Sequence, residues 1–422
     1  MENAEIMAKI KSLAKEYFEG QGQEFVPGQT KVRLAPTYGW EEATDAIDSL
    51  LSTQVTMGKK VKQFEEIFSS YIGVKHGVMV NSGSSANLIA LSVLTNPGTK
   101  DRVMPGQEVI TPATTWSTTV FPIAHVGLKP VLVDVDIKSF DVNVAEIKKA
   151  ISDKTRAIMP VHLLGNPCEM DEIMEIARDK DLYVIEDSCE AHGAECNGKK
   201  VGSIGDIGTY SFFMSHHITT IEGGMVMTDN EDFAEMARAL RVFGWIRDLK
   251  KREEIANKYS FIDKRFLFTT AGYNLRPTEI SGAFGIQQMK KLEQSLKIRR
   301  ENARYWNKEF SDFSDHLILP EERPGTRHAW FSYPVTIKPE APFTREEMVN
   351  FLEAKNIETR PVMAGNIAEQ PAMKEIQHRV IGDLKNSKMI MRRSLFWGNH
   401  QQIGKEQREY VTGVVSEFME KY

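Results

Sequence analysis

Between residues 76 and 187 short apolar runs alternate with helical patterns, and this alternation constrains the fold more than any other feature. "GVMVN" leads into "SSANLIALSVL", "EVITP" into "TTVFPIAHVG", and "KPVLVDVD" into "VAEIKKAIS". "RAIMPVH" then precedes "MDEIMEIARDK", and "LYVIED" follows. Strand, helix, strand at this cadence predicts a mostly parallel sheet with helices on both faces, the α/β class. "TYSFF" and "GGMVMTD" read as two further strands, close enough to be neighbours in that sheet. Upstream, residues 1 to about 40 read as a helix and a loop. In "VKQFEEIFSSYIGV", Val61, Phe64, Ile67, Phe68 and Tyr71 recur at helical spacing.

After Asn274 the pattern changes. One long amphipathic helix is predicted over 279–310, then a strand in "HAWFSYPVTIK" and further helices. These place a domain change near residue 300: a large domain over 1–300 and a smaller α+β domain over 301–422. A chain of 422 residues, 41% hydrophobic and 26% charged, has core enough for both. Its net charge of -5 gives no electrostatic case for nucleic acid or an anionic membrane. No stretch approaches the apolar length of a membrane span or a signal peptide, so neither is expected. Three cysteines, Cys168, Cys189 and Cys196, are too few for a disulfide scaffold and fit a reducing cytoplasm.

Four places could carry chemistry. In "VMVNSGSSANLIAL" a strand ends at Asn81 and a helix begins near Ala86, so Gly83, Ser84 and Ser85 offer amides and hydroxyls to a phosphate. An ordinary serine-capped turn reads the same way. Trp116, just after a predicted strand, could stack on a planar ring or simply fill core. Asp187 closes the apolar strand "LYVIED", where a carboxylate calls for a cation; a protonated pyridine nitrogen would serve, and so would a turn for it to cap. His192 could orient it. Finally "SFFMSHHITTIEGGMV" sets His216 five residues after Ser211, and Glu222, Gly223 and Gly224 lead into a strand.

Taken in order, these stretches resemble the DegT/DnrJ/EryC1/StrS family of sugar aminotransferases and dehydratases. The likeness runs from "APTYGWEE" to "FWGNH" and implies the type I aminotransferase fold. In most of that family a lysine at the fifth position after the serine anchors pyridoxal phosphate (PLP); here that position is His216. The histidine branches remove the C3 hydroxyl of nucleotide-linked 4-keto-6-deoxy sugars. One of them adds an iron–sulfur cluster, which needs about four thiolates. With no cysteine after Cys196, no cluster is expected here.

The resemblance therefore implies PLP, or its amine form pyridoxamine phosphate (PMP), held non-covalently and re-aminated by L-glutamate, with His216 as general base and acid. It implies that Gly83, Ser84, Ser85 and Ser211 hold the phosphate, that Trp116 stacks on the ring and that Asp187 meets its nitrogen. Glu190, where relatives often carry glutamine, is expected near the ring oxygen. Asn274 in "AGYNLRP" would reach the phosphate of a neighbouring subunit, which implies a homodimer with shared sites. Arg360 in "ETRP", with Trp245 and Arg247 in "FGWIRDL", is assigned to substrate. Phe243 stands in that loop where a polar residue is expected. Two rival readings remain: an aminotransferase whose lysine has been replaced, and a non-catalytic sugar-binding regulator.

Overall fold

The computed structural model describes residues 3–22 and 24–422; Met1 and Glu2, at the head of the predicted first helix, and Gln23, in the loop after it, lie outside the described residues. The alternation is realised as seven strands: β1 (His76–Val80), β2 (Glu108–Pro112), β3 (Lys129–Val133), β4 (Thr155–Ile158), β5 (Tyr183–Asp187), β6 (Ile207–Ser211) and β7 (Gly224–Thr228). Their order across the sheet is β1-β7-β6-β5-β4-β2-β3, and the short strand Arg379–Val380 adds to the β3 edge. Only β7 runs against the rest, pairing antiparallel with both β1 and β6. Nearly every residue of β1, β2, β3, β5 and β6 is buried, as expected of a sheet covered on both faces.

This topology gathers the site. The C-terminal ends of β5 and β6 lie side by side, with Asp187 opposite Thr209, and Gly224 pairs with both Val80 and Ser211. Open α/β sheets bind ligands at this carboxyl edge. The predicted stripe of "VKQFEEIFSSYIGV" forms the helix Lys59–Ile72, which buries Val61, Phe64 and Phe68 against Phe212 and Tyr210. Each such phenylalanine contributes about 1.5–3 kcal/mol.

Three expectations need correction. The predicted single helix over 279–310 is two, Glu279–Met289 and Leu292–Glu309. At the junction Lys290 and Lys291 donate to carbonyls three residues back, and the Lys291 ammonium is drawn to Glu41 and Glu42. The strand expected across "HAWFSYPVTIK" covers only Ser332–Ile337, because Trp330 takes φ of 50° and stacks on His328. The helix expected near Ala86 starts at Gly83, with Ser82 accepting the Ser85 amide as its cap.

Beyond residue 300 a four-stranded antiparallel sheet, in the order Leu317–Ile318, Ser332–Ile337, Ser394–Gly398, Thr359–Pro361, packs on Trp306, Phe310 and the helix Lys405–Met419. It carries Arg360 and Phe396 towards the carboxyl edge of the large sheet.

Candidate active site

A cavity of about 610 Å³ opens at that edge. Its wall includes Ser82, Gly83, Ser84, Trp116, Asp187, Glu190, Ser211, His216 and Arg360, so eight of the residues singled out from sequence converge on one space, joined by the helix cap Ser82. No lysine lines it among the described residues.

The turn after β1 is pressed tightly against the sheet. A Cβ on Gly83 would strike the side chain of Ser211, and one on Gly224 would strike the Ser82 carbonyl. Only glycine lets the start of the helix Gly83–Thr95 sit over the end of β6, where its free amides face the cavity. Gly83→Ala is therefore expected to weaken PLP binding about tenfold or more, about 1.4 kcal/mol, in an absorbance titration. Ser85 does not join this wall: its hydroxyl donates to Asn81 Oδ1 at 2.6 Å, into the protein.

Asp187 is 3% exposed and has no cation within ion-pair distance among the described residues. Its Oδ2 accepts from Asn87 Nδ2 at 2.9 Å and Thr119 Oγ1 at 2.8 Å, and its Oδ1 from the Cys189 amide at 3.2 Å. Thr209 Oγ1 in turn donates to Asn87 Oδ1 at 2.6 Å. The carboxylate is thus oriented by Asn87 and Thr119 rather than by His192, whose ring packs among Phe68, Tyr210 and Phe212. Sequence reading passed over Asn87 and Thr119. The available signal was a lone asparagine inside the apolar run "ANLIAL", since a polar side chain on a buried helix face needs a partner.

Trp116 stands at the head of the helix Ser117–His125, 54% exposed, with its ring at the cavity wall. Glu190 accepts the Leu164 amide at 2.8 Å through Oε2, and burial together with the Asp187 charge pushes its carboxyl up to about 8. At neutral pH it is a protonated acid and presents an O–H, as a glutamine presents an N–H. Between about pH 4.5 and about pH 8 the folded protein keeps a proton that the unfolded chain has released. Stability is therefore expected to fall as pH rises through that window. Thermal melts of the cofactor-free protein check this: Glu190→Gln should remove that part of the slope.

His216 is 9% exposed. Its Nδ1 is fully buried without a protein partner, which leaves Nε2 as the nitrogen facing the cavity. Burial and the Arg299 guanidinium push its pKa down to about 3, so the ring stands neutral. His217 turns away, its Nε2 within 3.0 Å of the Ala329 carbonyl. Arg360 forms no ion pair among the described residues; its Nη1 donates only to the Thr359 carbonyl, at 2.8 Å.

Three expected contributors lie elsewhere in the chain. Asn274 Oδ1 accepts from Arg276 Nε at 3.0 Å, away from this cavity. Trp245 lies under the Arg247 guanidinium, 4.6 Å from its ring centroid, and Arg247 lines a separate cleft of about 500 Å³ beside the β1 edge.

The profile of the DegT/DnrJ/EryC1/StrS aminotransferase family matches residues 36–416. The chain belongs to that family. Among relatives within the DegT/DnrJ/EryC1/StrS family, GDP-4-keto-6-deoxy-D-mannose 3-dehydratase of Yersinia pseudotuberculosis is 40% identical over 87% of this chain and 94% of its own. The dTDP-4-dehydro-2,6-dideoxy-D-glucose 3-dehydratase of Saccharopolyspora spinosa is 35% identical over 99% of this chain and 92% of its own. A crystal structure of GDP-4-keto-6-deoxymannose-3-dehydratase with a trapped PLP-glutamate geminal diamine superposes with a TM-score of 0.85. It is 36% identical and covers 90% of this chain and 99% of that one. The fold is that of the PLP-dependent aminotransferases.

Proposed function

We propose that the chain is a PLP/PMP-dependent 3-dehydratase that removes the C3 hydroxyl of a nucleotide-linked 4-keto-6-deoxy sugar, with L-glutamate restoring the amine form of the cofactor. One observation carries this reading: the cavity at the carboxyl edge, in a chain of a PLP family, has His216 on its wall and no lysine among the described residues. With no primary amine among the described residues of its wall, the cavity offers no group to hold the cofactor as an imine, whereas an imidazole there can hold and move protons.

The residues present fit the cofactor. Asp187 is a buried carboxylate already oriented by three donors, with no cation beside it among the described residues, and a pyridine N–H would supply one. The amides at Gly83 and Ser84 and the Ser211 hydroxyl form a cradle of phosphate character, and Trp116 supplies a flat face. Bound as PMP, the cofactor would supply an amino group matched to the sugar's C4 carbonyl and a ring able to accept electrons. His216 Nε2 takes up a proton at the cavity face and returns one to the C3 hydroxyl, which leaves as water. Protonated Glu190 donates towards the ring oxygen, and Arg360 offers its guanidinium to a carboxylate or a phosphate.

Asn274, Trp245 and Arg247 serve the site of a second copy in a homodimer of this cytoplasmic enzyme. Supporting this, Phe243, Tyr259, Phe261, Phe266 and Phe268 are exposed together along the segment leading to Asn274, an apolar surface suited to burial against a second chain. Residues 1–300 act as the cofactor-binding domain and 301–422 as the smaller one.

Incubation with PLP, L-glutamate and a panel of GDP-, CDP- and dTDP-linked 4-keto-6-deoxy sugars tests the reading. One sugar should lose the mass of its C3 oxygen. A stable amino sugar would point instead to an aminotransferase, and binding without turnover to a regulator.

A further inference from the structure

Behind His216, on the side away from the cavity, lie two more buried imidazoles. The His192 ring centroid is 6.1 Å from that of His216 and 5.3 Å from that of His217. Both ring nitrogens of His192, Nδ1 of His216 and Nδ1 of His217 are fully buried with no protein partner. The Ser211 backbone favours a proton on the His192 ring without reaching hydrogen-bond geometry. Four unpartnered ring nitrogens on three adjacent histidines are far too many for a native core, where buried polar atoms are almost always satisfied. Around them, among the described residues, stand the aromatic rings Phe68, Phe212, Phe213 and Phe331, together with the Tyr210 phenol, whose hydroxyl donates to the Val201 carbonyl. Among the described residues the only charge facing the cluster is the Arg299 guanidinium, itself committed to the carbonyls of Trp330, Phe331 and Asn399.

We propose that one internal water, held by His192 and His217, accepts a hydrogen bond from Nδ1–H of His216 and thereby keeps the basic lone pair of His216 on Nε2, facing the cavity. The bonding count supports this assignment. His217 donates its Nε2 proton to the Ala329 carbonyl, so its Nδ1 can only accept. His192 contributes a second accepting nitrogen. A water that gives its two protons to these nitrogens has only lone pairs left for His216, which must then be the donor. None of these nitrogens bonds another directly, and rings whose centroids lie 5.3 and 6.1 Å apart are suited to a water bridge. An acceptor on Nδ1–H also raises the basicity of Nε2 and steadies the imidazolium formed when it takes up a proton. His192 and His217 are thus positioning residues for the base assigned above, and the inference rests on that assignment.

The tautomer can be read without turnover. Nitrogen-15 spectra of the histidine-labelled, PLP-loaded protein, with the His216 signals identified by their loss in His216→Asn, should show Nδ1 protonated and Nε2 bare. A proton on Nε2 of resting His216 overturns the inference, and does so whether or not the dehydratase reading holds. In kinetics, His192→Phe should lower kcat about 10–100-fold, leave KM for the nucleotide sugar within about twofold and move the acid limb of kcat/KM to lower pH. His192→Gln, which can still accept, should restore most of both effects. A His192→Phe enzyme with unchanged kcat and pH profile would equally overturn the proposal. If His192→Phe does not fold, the wild-type spectrum still decides.

Discussion

His216→Asn is expected to lower kcat for sugar dehydration by about 10³-fold, within the 10²–10⁴-fold range of a positioned general acid–base group. The substitution is mild structurally. His216 is neutral in the folded protein, its pKa pushed down to about 3 by burial and Arg299, so asparagine removes no ion pair and little volume. What it removes is, among the described residues, the one imidazole nitrogen that faces the cavity. Because no covalent anchor is lost, the affinity for PLP should stay within about twofold, as read by absorbance titration. That split, with catalysis lost and cofactor kept, separates this account from an aminotransferase whose lysine has been replaced. The latter should be indifferent to a further change at His216, and installing lysine there should convert it to making a stable amino sugar. An unchanged kcat in His216→Asn would remove the base from the mechanism.

Asp187→Asn is expected to have the second largest effect. Oδ2 of Asp187 receives both Asn87 and Thr119, so the carbonyl oxygen of an asparagine can keep those bonds and the chain should fold. The substitution removes the negative charge, and with it the reason for a pyridine nitrogen to stay protonated. Leaving one member of a buried charged pair uncompensated costs about 3–5 kcal/mol, which corresponds to roughly a 10²- to 5 × 10³-fold fall in kcat. Cofactor affinity should fall as well, unlike in His216→Asn. Steady-state kinetics beside a PLP titration distinguish the two variants. If Asp187→Asn kept full activity, the carboxylate would be only the cap of its own turn through the Cys189 amide.

The outline of the fold was legible because it depends on local periodicity. Each apolar run from "GVMVN" to "LYVIED" became a strand of the large sheet, and "TYSFF" with "GGMVMTD" became the adjacent pair β6 and β7. The family resemblance singled out His216, Ser211 and Asp187, and each sits at or just beyond a strand end that the topology brings to one edge.

The features that were not legible depend on contacts between distant parts of the chain. Asn87 and Asp187 meet across a hundred residues of sequence. The break at Lys290–Lys291 follows from the pull of Glu41 and Glu42 far upstream. Ser85 resembles Ser84 in the string, yet one further step of the helix turns its hydroxyl onto Asn81. The adjacent histidines show the same limit most clearly: counting from Ser211 chose His216, but only the packing shows His192 and His217 gathered behind it.

With an imidazole in the lysine's place, the chain should expel oxygen rather than deliver nitrogen. The direct measurement is the amount of ammonia released per nucleotide sugar consumed by the PLP-loaded enzyme with L-glutamate. One ammonia should appear for each 3-deoxy-4-keto sugar formed. Sugar consumed with no ammonia released, its nitrogen retained in an amino sugar, would contradict it.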